Sequence, residues 1–192
     1  MIEAGKTGTF KVKQFYQSLL TELKISFHKE IWHKLKVPKH RFILWQVVHS
    51  NLLTRDLLAI FIHLDCLLCP VCEFDLESHG HLFFACPFTK KVILEVTKWL
   101  GQFDWPPNLE EWLIGLKGRR NSLVTDIKST VVAAVTYMVW CSRNNCAFEV
   151  FWEPTAVLSK RINLSNKARV IYLNHVKLKN KEKDVINLIN NF

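Results

Sequence analysis

Several features are missing from this sequence of 192 residues, and each absence removes a class of protein. The longest apolar stretch, residues 131–141, falls well short of the ~20 residues that a membrane-spanning helix needs. No apolar core followed by a small-residue cleavage site stands near Met1, and no lipid-anchor motif is present. We therefore expect an intracellular protein with no membrane partner, and nothing in the sequence favours the nucleus over the cytoplasm.

Catalytic motifs are also missing. A polymerase holds its two magnesium ions with paired carboxylates, and no two aspartates are adjacent anywhere in the chain. The G-x-S-x-G turn that exposes a nucleophilic serine does not occur either. We therefore predict that the chain is not an enzyme and has no small-molecule substrate.

Acidic residues are few relative to basic ones. The chain has 17 Asp and Glu against 26 Lys and Arg, which gives a formal net charge of +9. Such an excess favours an anionic partner, and nucleic acid comes before a membrane surface. Hydrophobic residues make up 49% of the chain, enough for a folded core.

The apolar residues mostly follow helical spacing, and proline and glycine punctuate it. Pro38 and Pro87 are placed to open helices, and Gly101 is placed to end the second one. A stripe of four residues at helical steps marks the expected buried face of the first helix: Phe42, Trp45, Val48 and His49. We predict a mainly α fold, with a small irregular helical domain that carries a Cys/His zinc knuckle, followed by a longer helical segment.

The remaining helices follow from similar signals. Thr54 is expected to cap a helix over residues 55–61, and a long helix after residue 121 ends near Arg143, which we expect to cap its carbonyl end. Pro154 opens a helix over residues 155–175. The polar stretch 177–183 predicts a disordered tail.

Four potential metal ligands stand in the pattern C-x2-C-x8-H-x4-C, formed by Cys69, Cys72, His81 and Cys86. Zinc takes four such donors in a tetrahedron, and a tight turn can direct two cysteines two residues apart at one ion. Burial of four ordinary side chains is the alternative interpretation, because cysteine is among the most buried residue types. Cys66 could replace Cys69 as a ligand, and His79 could replace His81.

A wider set of residues resembles the zinc-binding domain (zf-RVT type) of plant non-LTR, LINE-type, retrotransposon reverse transcriptases. These residues are Ile31-Trp32, Val37-Pro38-Lys39, Phe42-Ile43-Leu44-Trp45, Leu53-Thr54-Arg55-Asp56-Leu57-Leu58, Cys69-Pro70-Val71-Cys72, Glu77-Ser78, His81-Leu82-Phe83-Phe84 and Cys86-Pro87. The flanking residues Gly8-Thr9-Phe10-Lys11-Val12-Lys13 and Trp140-Cys141-Ser142-Arg143-Asn144 also resemble what surrounds that domain.

The resemblance implies a module that follows the polymerase in the element's polyprotein, which has RNA-directed DNA polymerase activity, and that assists nucleic-acid binding. It assigns one structural Zn²⁺ to Cys69, Cys72, His81 and Cys86. We predict four parts of the chain: an N-terminal flanking segment (1–30), the reverse-transcriptase-type zinc-binding domain (31–100), a helical extension (101–150) and a basic C-terminal helix and tail (151–192).

Basic and aromatic residues alternate between Lys24 and Arg41, as they do in proteins that bind single strands. We predict that five of these cations contact nucleic acid: Lys29, Lys34, Lys36, Lys39 and Arg41. The alternative is a core tryptophan, Trp32, under a solvated basic face. A second basic region covers residues 151–192, where eight Lys and Arg oppose three acids.

Two functions therefore follow from the sequence. The first is a zinc-stabilised helical module that binds RNA or single-stranded DNA without sequence preference. The second is a domain that packs on a polymerase or another protein partner. A non-functional fragment of a retroelement is a third interpretation.

Overall fold

The computed structural model describes residues 31–101, 105–108, 111–112, 114–115, 122–149, 151–173 and 178–191. The predicted flanking segment 1–30, and Lys29 within it, lie outside the described residues.

Helices dominate the part of the chain that the structure describes. The α-helices are α1 (Pro38–Val48), α2 (Arg55–Leu58), α3 (Pro87–Leu100), α4 (Leu123–Asn144), α5 (Thr155–Val170) and α6 (Asn180–Asn190). Two π-helical turns, His81–Ala85 and Asn145–Glu149, and a 3-10 turn, Ile171–Leu173, complete the helical elements. Within the same residues the β structure is limited to an isolated bridge between Leu68 and Leu76. The mainly α prediction is confirmed.

Helix α4 lies at the centre of the fold and packs against α1, α3, α5 and α6. Its buried face carries Ile127, Val131, Val135, Met138 and Val139, as its helical spacing predicts. Residues 123–149 are long and apolar enough to cross a membrane by composition alone, but 56% of the most apolar window is buried inside the protein. A core helix of this kind meets the same criteria.

One hydrophobic core joins the segments that the sequence divides. The core runs from Leu35 and Leu44, through Cys69 and Cys86 at the knuckle, to Ile189 near the end of α6. Leu100 and Gly101 do end a helix, with Gly101 at a φ of 76°. The boundaries at residues 30, 100 and 150 stay predictions, and the core is continuous across the last two.

The buried face of α1 differs from the predicted stripe. His40, Leu44 and Val47 are buried, whereas Phe42 is 48% exposed. Neither Phe42 nor Trp45 lies on the buried face. The side of α1 that packs on α4 is shifted by one to two positions in the sequence, to His40, Leu44 and Val47.

Two further predictions are wrong, one about the helix after Thr54 and one about the C-terminal tail. Helix α2 has only four residues, and the Thr54 side chain makes no capping hydrogen bond to it. The polar stretch 177–183 is predicted to be disordered, but its described residues lead into helix α6. This helix buries Ile186 and Ile189 in the hydrophobic core. Sparse apolar residues at a three-residue step suffice to dock it.

Candidate metal centre

A short hairpin-like loop presents the first two cysteines. The amide of Cys69 donates to the Asp75 carbonyl at 2.8 Å, and the amide of Glu77 donates to the Leu67 carbonyl at 2.9 Å. Between these bonds the chain turns tightly, since the Glu73 amide donates to the Cys69 carbonyl at 2.8 Å. Glu73 has a φ of 54°, the left-handed conformation that ends the turn.

The other two ligand candidates lie at the two ends of a single π-helical turn, with His81 as its first residue and Cys86 directly after it. The Ser78 hydroxyl accepts a hydrogen bond from the His81 amide at 3.1 Å and so caps the start of this turn. The Cys86 amide donates to the His81 carbonyl at 2.7 Å, and Pro87 then begins α3. The buried Thr89 hydroxyl ties α3 back to the turn by donating to the Leu82 carbonyl at 2.6 Å.

These two pieces of chain bring Cys69, Cys72, His81 and Cys86 together. Their candidate ligand atoms all lie within 4.8 Å of one another. The Cys72 Sγ and His81 Nε2 atoms are 3.3 Å apart. Cys69 and Cys86 are fully buried, and His81 is 9% exposed.

The two buried thiols interact strongly with each other. The hydrogen bond to Cys86, followed by burial, raises the pKa of Cys69. The same hydrogen bond lowers the pKa of Cys86. Cysteine binds a metal ion as the thiolate, so metal binding at this pair would release thiol protons.

The donor set fits zinc. Zn–S bonds of about 2.3 Å in a tetrahedron place sulfur atoms roughly 3.8 Å apart, so only small movements separate these donors from a closed site. Asp75 adds to the fit, because one of its carboxylate oxygens lies 3.7 Å from the His81 Nδ1 atom. A carboxylate behind a histidine ligand orients the ring and favours the tautomer that binds through Nε2.

The two competing donors lie outside this cluster. Cys66 is exposed and accepts a hydrogen bond from the Arg55 guanidinium at 3.4 Å. His79 is buried, and its Nδ1 atom lies 3.4 Å from the Thr54 hydroxyl. Burial lowers the pKa of His79.

Comparison with known proteins finds a zinc-binding family over the same part of the chain. Residues 10–92 match the family described as zinc-binding in reverse transcriptase. This match confirms the resemblance to a reverse-transcriptase zinc-binding domain, and the plant non-LTR origin stays a prediction. The matched residues, which we call the zinc-family segment, include all four donors and end within α3. No curated protein and no solved structure matches the chain.

The zinc-family segment depends on a residue that lies outside it. Arg143, near the end of α4, forms a two-bond ion pair with Glu77, with Nε to Oε1 at 2.6 Å and Nη2 to Oε2 at 2.7 Å. Both side chains are buried, at 2% and 0% exposure. Glu77 Oε2 also accepts a hydrogen bond from the Arg55 amide at 2.7 Å and thereby caps α2.

This ion pair corrects the expected role of Arg143. Its guanidinium binds Glu77 instead of capping the α4 carbonyls, and it packs 5.0 Å from the Trp140 ring centre. It thereby joins the loop that contains Glu77 to helix α4. The sequence offered a signal that could have found it, since Glu77 and Arg143 both occur in the motifs that carry the family resemblance. Nothing in their spacing shows that they meet.

The residues predicted to contact nucleic acid differ in their exposure to solvent. Lys34 and Lys39 are exposed, and the Lys39 ammonium lies 4.9 Å from the ring centre of Tyr137. Arg41 is half-buried, with its guanidinium carbon 5.6 Å from the Trp32 ring centre. Lys36 is only 1% exposed, so its ammonium cannot reach a phosphate, and we remove it from the set.

The structure adds one cation to this region from far along the chain. Arg169, in α5, donates hydrogen bonds to the carbonyls of Lys34, Leu35 and Lys36 at 3.1 to 3.3 Å. It therefore joins the C-terminal basic region to the basic segment before α1. Charge counts alone could not show this contact, because 133 residues separate Arg169 from Lys36.

Proposed function

We propose that this protein is a zinc-stabilised helical module that binds RNA or single-stranded DNA without sequence preference. The observation that carries the proposal is the approach of three cysteines and one histidine to within 4.8 Å inside a segment that matches a zinc-binding family of reverse transcriptase. Four protein donors fill a tetrahedral zinc site and leave no position for a catalytic water. The ion would therefore hold structure.

The proposed zinc ion supports the fold where the helices alone are weak. The loop between Thr54 and His81 contains only the four-residue helix α2 and a single β-bridge. Cys69 and Cys72 lie in the middle of this loop, and an ion shared with His81 and Cys86 would tie them to the start of α3. Because a preformed site does not exist in the unfolded chain, the free energy of zinc binding adds to the free energy of folding.

Metal analysis of protein purified without added zinc tests this part. We expect one equivalent of zinc in the parent protein and almost none in a Cys69→Ser/Cys72→Ser variant. Cys66→Ser is the matched control, because Cys66 is exposed and lies outside the cluster. Equal metal content in the parent and the double variant, or loss of metal in the control, would remove the proposed ligand set.

We assign nucleic-acid binding to four cations, which we call the basic face: Lys34 before α1, Lys39 and Arg41 within α1, and Arg169 of α5. Lys39 and Arg41 each lie against an aromatic ring, which holds their long side chains in place. Contacts of this kind neutralise phosphates without reading bases, so affinity should depend steeply on salt.

Binding of a labelled single-stranded RNA oligomer at several salt concentrations tests the basic face. Each phosphate contact contributes about −0.7 to the slope of log affinity against log salt. Replacing Lys34, Lys39 and Arg41 by Gln should therefore make the slope shallower by roughly 2. The control changes the exposed Lys90, Lys91 and Lys160 to Gln, which removes the same charge elsewhere. Equal effects of both triple variants would refute the basic face, and no binding at low salt would refute the function.

A second function is favoured by one observation. The loop after α2 exposes three adjacent apolar side chains, with Ile60 at 70%, Phe61 at 76% and Ile62 at 52%. Contiguous exposed apolar residues mark protein interfaces. A domain that packs on a protein partner through this loop is the candidate that remains if RNA binding fails.

A further inference from the structure

A cleft of about 320 Å³ opens beside the Cys/His cluster, and its lining includes no residue of the basic face. One wall is the knuckle turn, residues 70–73. The other wall is formed by Cys146, Phe151 and Trp152, from the chain that follows α4. Pockets for small ligands begin at about this volume, so the cleft suits one side chain presented by a partner.

The second wall is held in place by its own hydrogen bonds. The Cys146 thiol donates to the Phe151 carbonyl at 3.4 Å, and the Phe151 amide donates to the Asn145 carbonyl at 3.3 Å. Phe151 and Trp152 are nevertheless 54% and 56% exposed. Their ring faces are therefore available to a ligand, and little ordering is needed when it binds.

The two chain segments that form the cleft carry the opposite charge to the whole protein. Residues 69–77 and 145–153 contain five acids and no Lys or Arg, in a chain of net charge +9. Glu77 is neutralised by Arg143, and Glu153 pairs with Arg161 at 2.7 Å. The other three acids are exposed: Glu73, which lines the cleft, Asp75 and Glu149.

We propose that this cleft binds a lysine or arginine side chain of a basic peptide. The ring faces of Phe151 and Trp152 attract a cation placed within about 6 Å of their centres. Glu73 pairs with the same cation. Single-stranded nucleic acid also stacks on aromatic rings, but the acids around this cleft repel its phosphates. The proposal goes beyond the proposed function and does not require RNA binding.

Binding of a short labelled peptide that contains two lysines tests the cleft, measured by fluorescence anisotropy at low salt. The control peptide has norleucine in place of each lysine, which keeps the alkyl chain and removes the charge. We expect the lysine peptide to bind more tightly. Trp152→Ala should weaken its binding by roughly tenfold and Glu73→Gln by about threefold, because a cation–π contact and an exposed ion pair are of this strength.

Phe61→Ala is the matched control variant, since it removes an exposed ring that does not line the cleft. It should leave peptide affinity unchanged. Zinc content and RNA affinity of Trp152→Ala should equal those of the parent, which separates failure of this proposal from failure of the proposed function. Unchanged peptide affinity in Trp152→Ala, or equal affinity for the norleucine peptide, would overturn the proposal. Loss of RNA affinity alone in that variant would instead assign the cleft to bases and would also overturn it.

Discussion

Replacing Arg143 by Met should destabilise the zinc-family segment, although residue 143 lies some fifty positions beyond the end of that segment. Methionine keeps much of the buried volume and removes the charge. Glu77 would then remain fully buried with the Arg55 amide as its partner and no cation beside it. An uncompensated buried carboxylate is one of the most costly defects in a protein interior.

The magnitude follows from the burial of both partners. Removing one member of a buried ion pair costs about 3–5 kcal/mol, against a total stability of roughly 5–15 kcal/mol for a domain. For a chain of this size, 1 kcal/mol shifts the melting temperature by about 2–4 °C. We therefore expect Arg143→Met to melt about 10 °C below the parent.

Urea unfolding measures the loss of free energy and thermal unfolding measures the melting temperature, both followed by circular dichroism with zinc held at a fixed concentration. Arg161→Met is the control, because Arg161 is 48% exposed and its pair with Glu153 should contribute less than about 1 kcal/mol. The double variant Glu77→Leu/Arg143→Met should recover part of the loss, since neither charge then remains buried alone. A cost for Arg143→Met no larger than that for Arg161→Met would refute the reasoning.

Two further predictions concern other positions in the core helices. Burial, followed by the charges of Lys39 and Arg169, lowers the pKa of His40 from 6.5 to about 4. Between these pH values the unfolded chain binds a proton that the folded chain does not, so the free energy of unfolding should fall as pH falls, by up to about 3 kcal/mol. His40→Phe should flatten this pH dependence in urea titrations at several pH values. His63→Gln, at an exposed site, should leave it unchanged. Identical pH profiles for the parent and His40→Phe would contradict the prediction. Ser122 accepts a hydrogen bond from the Thr125 amide at 3.2 Å at the start of α4, so Ser122→Ala should cost about 1 kcal/mol in the same assay, and no measurable loss would show that this cap is dispensable.

Local signals in the sequence were sufficient for most of the helices and for the candidate ligands. Pro38 and Pro87 fix φ at their own positions, and Gly101 readily takes the positive φ that ends a helix, so these helix starts and ends can be predicted without knowing the fold. The spacing of the four metal-ligand candidates is local too, because each pair lies within a few residues. Features that depend only on residues close together in the sequence can therefore be predicted from the sequence.

The features that the sequence did not predict all depend on contacts between distant segments. Glu77 meets Arg143, and Arg169 meets Lys36, only because helices α4 and α5 pack on the knuckle and on the basic segment. Lys36 is lost from the basic face for the same reason, since burial belongs to the packed molecule and not to the residue. The sequence by itself determined the helical body and the cysteine and histidine pattern. Tertiary packing decided which charges are neutralised in the interior and which remain exposed to a partner.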